Sequence, residues 1–110
     1  MPQRIHKLMP LEEMRLIVRF DRTAGLFYWR DRPPEDFQNK RAWRASHSKR
    51  RPGTAALNSP LSSGYLKSII NGVTYCAHVV AWAFENGEWP TKQIDHIDGN
   101  VANNRPENLR

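Results

Sequence analysis

The residues with the clearest chemical potential lie near the end of the sequence, where Asp95 directly precedes His96. A carboxylate is a hard oxygen ligand that suits Mg²⁺ or Mn²⁺ and also binds Zn²⁺. A histidine side chain titrates near neutral pH, so it can take a proton from water under physiological conditions. In an extended segment neighbouring side chains point to opposite faces, so one group can hold a metal while the other faces a substrate. Taken alone, the pair fits better as a turn aspartate beside a surface histidine.

The residues around this pair strengthen the chemical interpretation. Isoleucines flank it within residues 94–97, and β-branched side chains favour a strand. Residues 98–100 read Asp-Gly-Asn, a turn signal because Gly and Asn tolerate positive φ. Asp95 and His96 are therefore predicted at the end of a strand that enters a tight loop. Asn103 and Asn104 are predicted to shape that loop by bonding to their own backbone.

This pattern, an Asp-His pair, an asparagine-rich loop and then Asn108-Leu109, resembles the HNH endonuclease family in the branch common in phage and homing-type nucleases. The resemblance implies a ββα-metal motif with one divalent ion. It implies that Asp95 is the first metal ligand, that His96 is the general base, and that Asn108 braces the loop and orients His96. The last family position falls several residues beyond Asn108 and the sequence ends at Arg110, so the resemblance predicts an incomplete motif.

The elements that must position this motif lie upstream. Asn71-Gly72 between two strand-like runs predicts a β-hairpin, since this dipeptide is among the strongest short-range hairpin signals. Residues 78–84 resemble the family's histidine-containing helix, and His78 has three open roles: helix-start packing, the active site, or DNA contact. Residues 10–20 predict an N-terminal helix, residues 26–30 a strand, and Pro33-Pro34 a break. The predicted fold class is α+β: an N-terminal helix, a β-hairpin plus helix, and an incomplete ββα-metal motif.

Charge points to a polyanionic partner. Lys and Arg number 17 against 11 Asp and Glu, for a net charge of +6 and a pI near 10.0. Such a balance favours nucleic acid or an anionic membrane. No Asp or Glu occurs from Phe37 to Phe84. The chain is therefore divided into an N-terminal helix and strand segment at 1–36, a basic loop at 37–64, and an incomplete HNH domain at 65–110.

The basic segment is predicted to contact DNA. A long loop rich in Pro, Gly and Ser is either disordered or binds something. Trp43 sits between Arg41 and Arg44, and interleaved basic and aromatic residues suit phosphate contact plus stacking on bases. The predicted DNA-binding residues are Lys40, Arg41, Trp43, Arg44, Lys49, Arg50, Arg51 and Arg105.

The sequence therefore favours metal-dependent hydrolysis of DNA phosphodiester bonds, by nicking or double-strand cleavage, with Mg²⁺ or Mn²⁺ preferred over Zn²⁺. The alternative is a non-catalytic DNA-binding remnant of an HNH nuclease, and a phage structural protein has only the charge in its favour.

The single cysteine, Cys76, excludes an intramolecular disulfide. No run approaches the about 18 apolar residues of a membrane span, and no signal-peptide core is present. The sequence thus predicts no membrane partner and a cytoplasmic location in a bacterial or phage-infected cell, and it leaves the oligomeric state open.

Overall fold

The computed structural model describes residues 8–32, 35 and 37–110 of the chain. Within them, three helices combine with two three-stranded antiparallel sheets. This arrangement confirms the predicted α+β class. The predicted break at Pro33-Pro34 lies outside the described residues.

The N-terminal helix is shorter than the sequence predicts. Helix α1 (Leu11–Ile17) starts after Pro10, whose fixed φ suits a helix start. It buries Leu11, Met14 and Ile17, which share one face. The predicted continuation to Phe20 is wrong, because Val18–Asp21 forms strand β1 and pairs with β2 (Leu26–Trp29). That cross-strand pairing overrides a helical apolar pattern that runs on without a stop signal.

The basic segment is not the long loop that its composition predicts. Residues Lys40–Lys49 form helix α2, which begins where the Asn39 side chain accepts a hydrogen bond from the Ala42 N–H at 2.8 Å. Strand β3 (Ala55–Ala56) then completes the first sheet in the order β1-β2-β3. The loop prediction failed because Pro52 and Gly53 lie after the helix and do not interrupt it.

The second sheet contains the predicted hairpin. Strand β4 (Ser59–Pro60) pairs with β5 (Leu66–Ile70), which pairs with β6 (Val73–Cys76). The turn residues Asn71 and Gly72 have φ of 53° and 77°. Two consecutive positive φ values suit the twist of a two-residue hairpin, which explains the Asn-Gly sequence.

Helix α3 (Ala77–Asn86) follows β6 directly and connects the sheets to the C-terminal segment. It buries Val80, Ala81 and Ala83, and it ends at Gly87 in the left-handed conformation. Trp82, Phe84 and Trp89 are partly buried and pack against the core. In the described part of the chain, no helix combines the length and apolar character needed to cross a membrane.

Candidate active site

Asp95 and His96 lie in an extended segment that pairs with the last residues of the chain. The Asp95 N–H donates to the Arg110 carbonyl at 2.8 Å, and the Arg110 N–H returns a bond to Asp95 at 3.1 Å. His96 opposes Leu109 in an antiparallel bridge. The predicted strand is therefore a short bridge between two extended segments, and it leads into the loop at residue 97 as expected.

The two side chains take opposite faces, as alternation in an extended segment requires. The side chain of Asp95 is 67% exposed and makes a loose ion pair with Arg110 at 3.5 Å. His96 is 5% exposed. The pair therefore presents an acidic group to solvent and a shielded imidazole to the interior.

The imidazole of His96 is oriented by Asn104. Its Nε2 lies 2.9 Å from Asn104 Oδ1, and Asn104 is itself only 2% exposed. Because an amide oxygen only accepts hydrogen bonds, Nε2 must donate, which leaves the lone pair of the neutral ring on Nδ1. Among the described residues Nδ1 has no partner, and it is not sealed from solvent. The predicted loop role of Asn104 is therefore wrong: its side chain bonds to His96.

The rings of His78 and Tyr65 pack near the His96 ring. The centroid of His78 lies 5.1 Å from that of His96, and Tyr65 stacks on His78 at 4.8 Å. Burial, together with the nearby charge of His96, lowers the pKa of His78 from 6.5 to about 4, so this ring is uncharged at neutral pH. Its Nδ1 is buried without a hydrogen-bond partner in the described part of the chain. Both the helix-start packing and the proximity to the candidate site are therefore observed, although His78 was left open from sequence.

Asn108 braces the loop between the two extended segments. Its Oδ1 accepts from the Asp98 N–H at 2.9 Å, and its Nδ2 donates to Asp98 Oδ1 and to the Asn103 carbonyl, each at 2.9 Å. The Asn103 amide, the Asn100 N–H and the Asn108 amide hold the pKa of Asp98 below its usual range. Asn108 therefore braces the loop as predicted, while the side chain in direct contact with His96 is that of Asn104, and an effect of Asn108 on the orientation of His96 stays a prediction.

The β1–β2 turn supports this loop from outside. Gly25 has φ +72°, and a Cβ there would lie 2.6 Å from the Arg105 backbone nitrogen and 2.9 Å from the Asn104 carbonyl carbon. Only glycine permits so close an approach. Asn104, the partner of His96, is thus positioned by a turn about 80 residues earlier in the chain. The spacing of residues in the sequence does not reveal this contact.

The carboxylates near His96 are the side chains that could hold a metal here. Among the residues that the structure describes, no three His, Cys, Asp or Glu side chains are grouped to hold an ion. Asp95 offers an exposed carboxylate next to His96, whereas the Asp98 oxygens already accept bonds from the loop amides. Asp95 is thus better placed than Asp98 to bind a cation.

The predicted DNA-binding residues divide by exposure. Trp43 is half-buried, and its indole N–H donates to the Arg32 carbonyl at 2.9 Å. Arg50 donates to the Ile69 carbonyl at 2.7 Å and lies over the Trp29 ring. Arg50 thus connects the end of α2 to both sheets, Trp43 connects α2 to the segment after β2, and their DNA contact stays a prediction. The residues of the set that are exposed are Lys40, Arg41, Arg44, Lys49, Arg51 and Arg105.

Comparison with known proteins shows which family this part of the chain resembles. A family model described as HNH endonuclease matches residues 75–110, the segment from β6 through α3 to the paired extended ends. The segment that contains Asp95, His96 and Asn108 therefore matches an HNH endonuclease model, which confirms the resemblance read from those residues.

A solved structure described as DNA binding and cleavage by the HNH homing endonuclease I-HmuI is also similar, with 20% sequence identity and a TM-score of 0.48. The alignment covers 84% of this chain and 44% of that one, so this chain spans less than half the length of that protein. A comparison with curated proteins gave no significant match.

Proposed function

We propose that this protein is a metal-dependent HNH endonuclease that hydrolyses DNA phosphodiester bonds. One observation carries the proposal. His96 is shielded, its Nε2 is bonded to Asn104 Oδ1, and the neighbouring Asp95 carboxylate is exposed. A general base oriented beside an available carboxylate suits the hydrolysis of a phosphodiester.

In this reaction His96 is the general base. The Asn104 amide fixes the tautomer in which Nδ1 has the lone pair, so Nδ1 accepts a proton from the attacking water. Tyr65 and His78 pack around the ring and restrict its rotation. The uncharged state of His78 at neutral pH avoids a second positive charge beside the imidazolium that forms.

Asp95 is the residue that would hold a divalent metal, with Mg²⁺ or Mn²⁺ favoured by its hard carboxylate and Zn²⁺ as the alternative. Such an ion supplies charge stabilisation for the phosphate and the departing oxygen. Asn108 keeps the loop closed through its hydrogen bonds to Asp98, which supports the extended segment that contains Asp95 and His96. DNA itself would be held mainly through phosphate contacts from the exposed basic residues of α2 and from Arg105.

A DNA-binding protein that does not cleave is the second candidate. The observation that favours it is that the described residues group no three His, Cys, Asp or Glu side chains to hold an ion, because a site with few protein ligands binds a metal weakly. Both candidates require DNA binding, and they differ in whether a phosphodiester is hydrolysed.

The experiment that tests the proposal uses supercoiled plasmid with Mg²⁺, Mn²⁺ or Zn²⁺ and an EDTA control. We expect metal-dependent nicking or linearisation that His96→Ala abolishes and Asp95→Asn strongly reduces. Asp31→Asn changes another exposed aspartate and serves as the matched control. DNA binding in EDTA is measured by gel shift for each variant. A retarded but uncut plasmid with every metal would favour the non-cleaving protein, and undiminished cleavage by His96→Ala would exclude His96 as the base.

A further inference from the structure

Four arginines from the N-terminal part of the chain surround one surface groove. Arg15 of α1, Arg19 of β1, Arg22 of the following turn and Arg30 after β2 line a groove of about 300 Å³. Phe84 and Glu85 at the end of α3 form its far wall. We call this the arginine groove. None of its arginines belongs to the basic segment at residues 37–64 that the sequence pointed to.

The arginines are held in place while most of their donors remain available. The Arg15 guanidinium lies 4.5 Å from the Phe84 ring centre and donates to the Phe84 carbonyl at 2.8 Å. Arg30 donates to the Arg15 carbonyl at 3.1 Å. Arg19 lies over the Tyr28 ring and makes no hydrogen bond or ion pair with any described residue. Since a guanidinium has five N–H donors, each of these side chains can still bind an anion.

The charge of the groove is incompletely balanced. Its lining includes one acidic residue, Glu85, which pairs with Arg22 at 2.6 Å. Like charges held together in this way repel one another, and an anion relieves that repulsion. Guanidinium groups are well suited to phosphate because their planar fork matches two phosphate oxygens.

The groove and the candidate active site are connected by the β1–β2 turn and by α3. Arg22 begins the β1–β2 turn, whose Gly25 lies against the backbone of Asn104 and Arg105. The carboxylate of Glu85, and more weakly that of Glu107 in the Asn108 turn, raises the pKa of Arg22, which puts this arginine within electrostatic reach of the loop. Helix α3 runs from His78 at the site to Phe84 at the groove, a length of about 9 Å. A duplex that crosses the site offers further phosphates over that distance, since they recur about every 3.4 Å along each strand.

We propose that the arginine groove binds the phosphate backbone of the same DNA duplex that occupies the HNH site. The proposal rests on the proposed function, because it assigns a second contact to the same substrate. The groove fixes the position of the duplex without reading its sequence, since phosphate contacts carry no base information.

The test measures binding alone, so that it is independent of cleavage. Binding of a short fluorescein-labelled duplex is followed by anisotropy in EDTA over a series of salt concentrations. We expect Arg19→Gln and Arg30→Gln each to weaken binding roughly fivefold at physiological salt. Each should also reduce the magnitude of the negative slope of log K against log salt by about 0.9. Lys92→Gln removes an exposed cation outside the groove and should leave the slope unchanged.

A variant of opposite sign guards against loss of folding in the arginine variants. Glu85→Gln removes the one acidic side chain of the groove and should tighten binding, whereas Glu88→Gln, past the end of α3, should have a smaller effect. Unchanged salt slopes in both arginine variants, or equal effects of Glu85→Gln and Glu88→Gln, would overturn the proposal. Absence of duplex binding by the wild type would also overturn it. Plasmid cleavage by the same variants shows separately whether the proposed function holds.

Discussion

Substitution of Asn104 by alanine tests how His96 is oriented. The change removes the acceptor of the bond to His96 Nε2 in a position where Asn104 is 2% and His96 is 5% exposed. A buried donor left without a partner costs about 1–3 kcal/mol. If that energy holds the Nδ1 lone pair toward the attacking water, the same amount is lost from the transition state. We therefore expect kcat/KM for plasmid cleavage to fall about 5- to 150-fold.

Three measurements separate this orientation effect from a general loss of folding. Urea denaturation gives the free energy of unfolding, and the affinity for DNA in EDTA should remain near that of the wild type. The ring tautomer of His96 is read from long-range ¹H–¹⁵N spectra and should change from one form to a mixture. Asn103→Ala is the matched control, because its side chain bonds to Asp98 and not to His96. Wild-type cleavage by Asn104→Ala, or an unaltered tautomer, would refute the reasoning.

Two further predictions concern the support of the site. Gly25→Ala should lose at least about 1–2 kcal/mol of stability in urea denaturation and disturb Asn104. Gly53→Ala is the control, because Gly53 also has positive φ but open space around it, so it should show only the backbone cost. Equal losses in the two variants would contradict the close approach at Gly25. Between pH 6.5 and about 4 the unfolded chain binds a proton at His78 that the folded chain excludes. The free energy of unfolding should therefore decrease as the pH is lowered through this range, by up to about 1.4 kcal/mol per pH unit. His78→Phe should lose that part of the slope, and parallel pH profiles would contradict it.

Local features of the sequence indicated the candidate site residues and the tight turns. Asp95 and His96 are neighbours, so their opposite faces follow from chain geometry alone. The Asn71-Gly72 hairpin follows from the φ values that those residue types accept. The resemblance to HNH endonucleases could also be recognised from the sequence, because its residues lie within one short stretch of chain.

Local patterns misplaced one helix end and missed one helix. The apolar spacing of α1 continues past Ile17, but pairing with β2 takes Val18 into a strand. The Pro, Gly and Ser content of residues 37–64 hid α2, whose start depends on a single cap at Asn39. In both places a specific contact outweighed a compositional average.

The sequence by itself determined which groups could act, namely a carboxylate and an imidazole side by side in an asparagine-rich loop. The tertiary structure decided which asparagine orients the imidazole, because Asn103 and Asn104 are alike in type and differ in burial and partner. It also brought Gly25 against that loop and gathered four separate arginines into one groove. Such relations join residues far apart in the chain, and they arise only when the packing of the sheets against α3 brings them together.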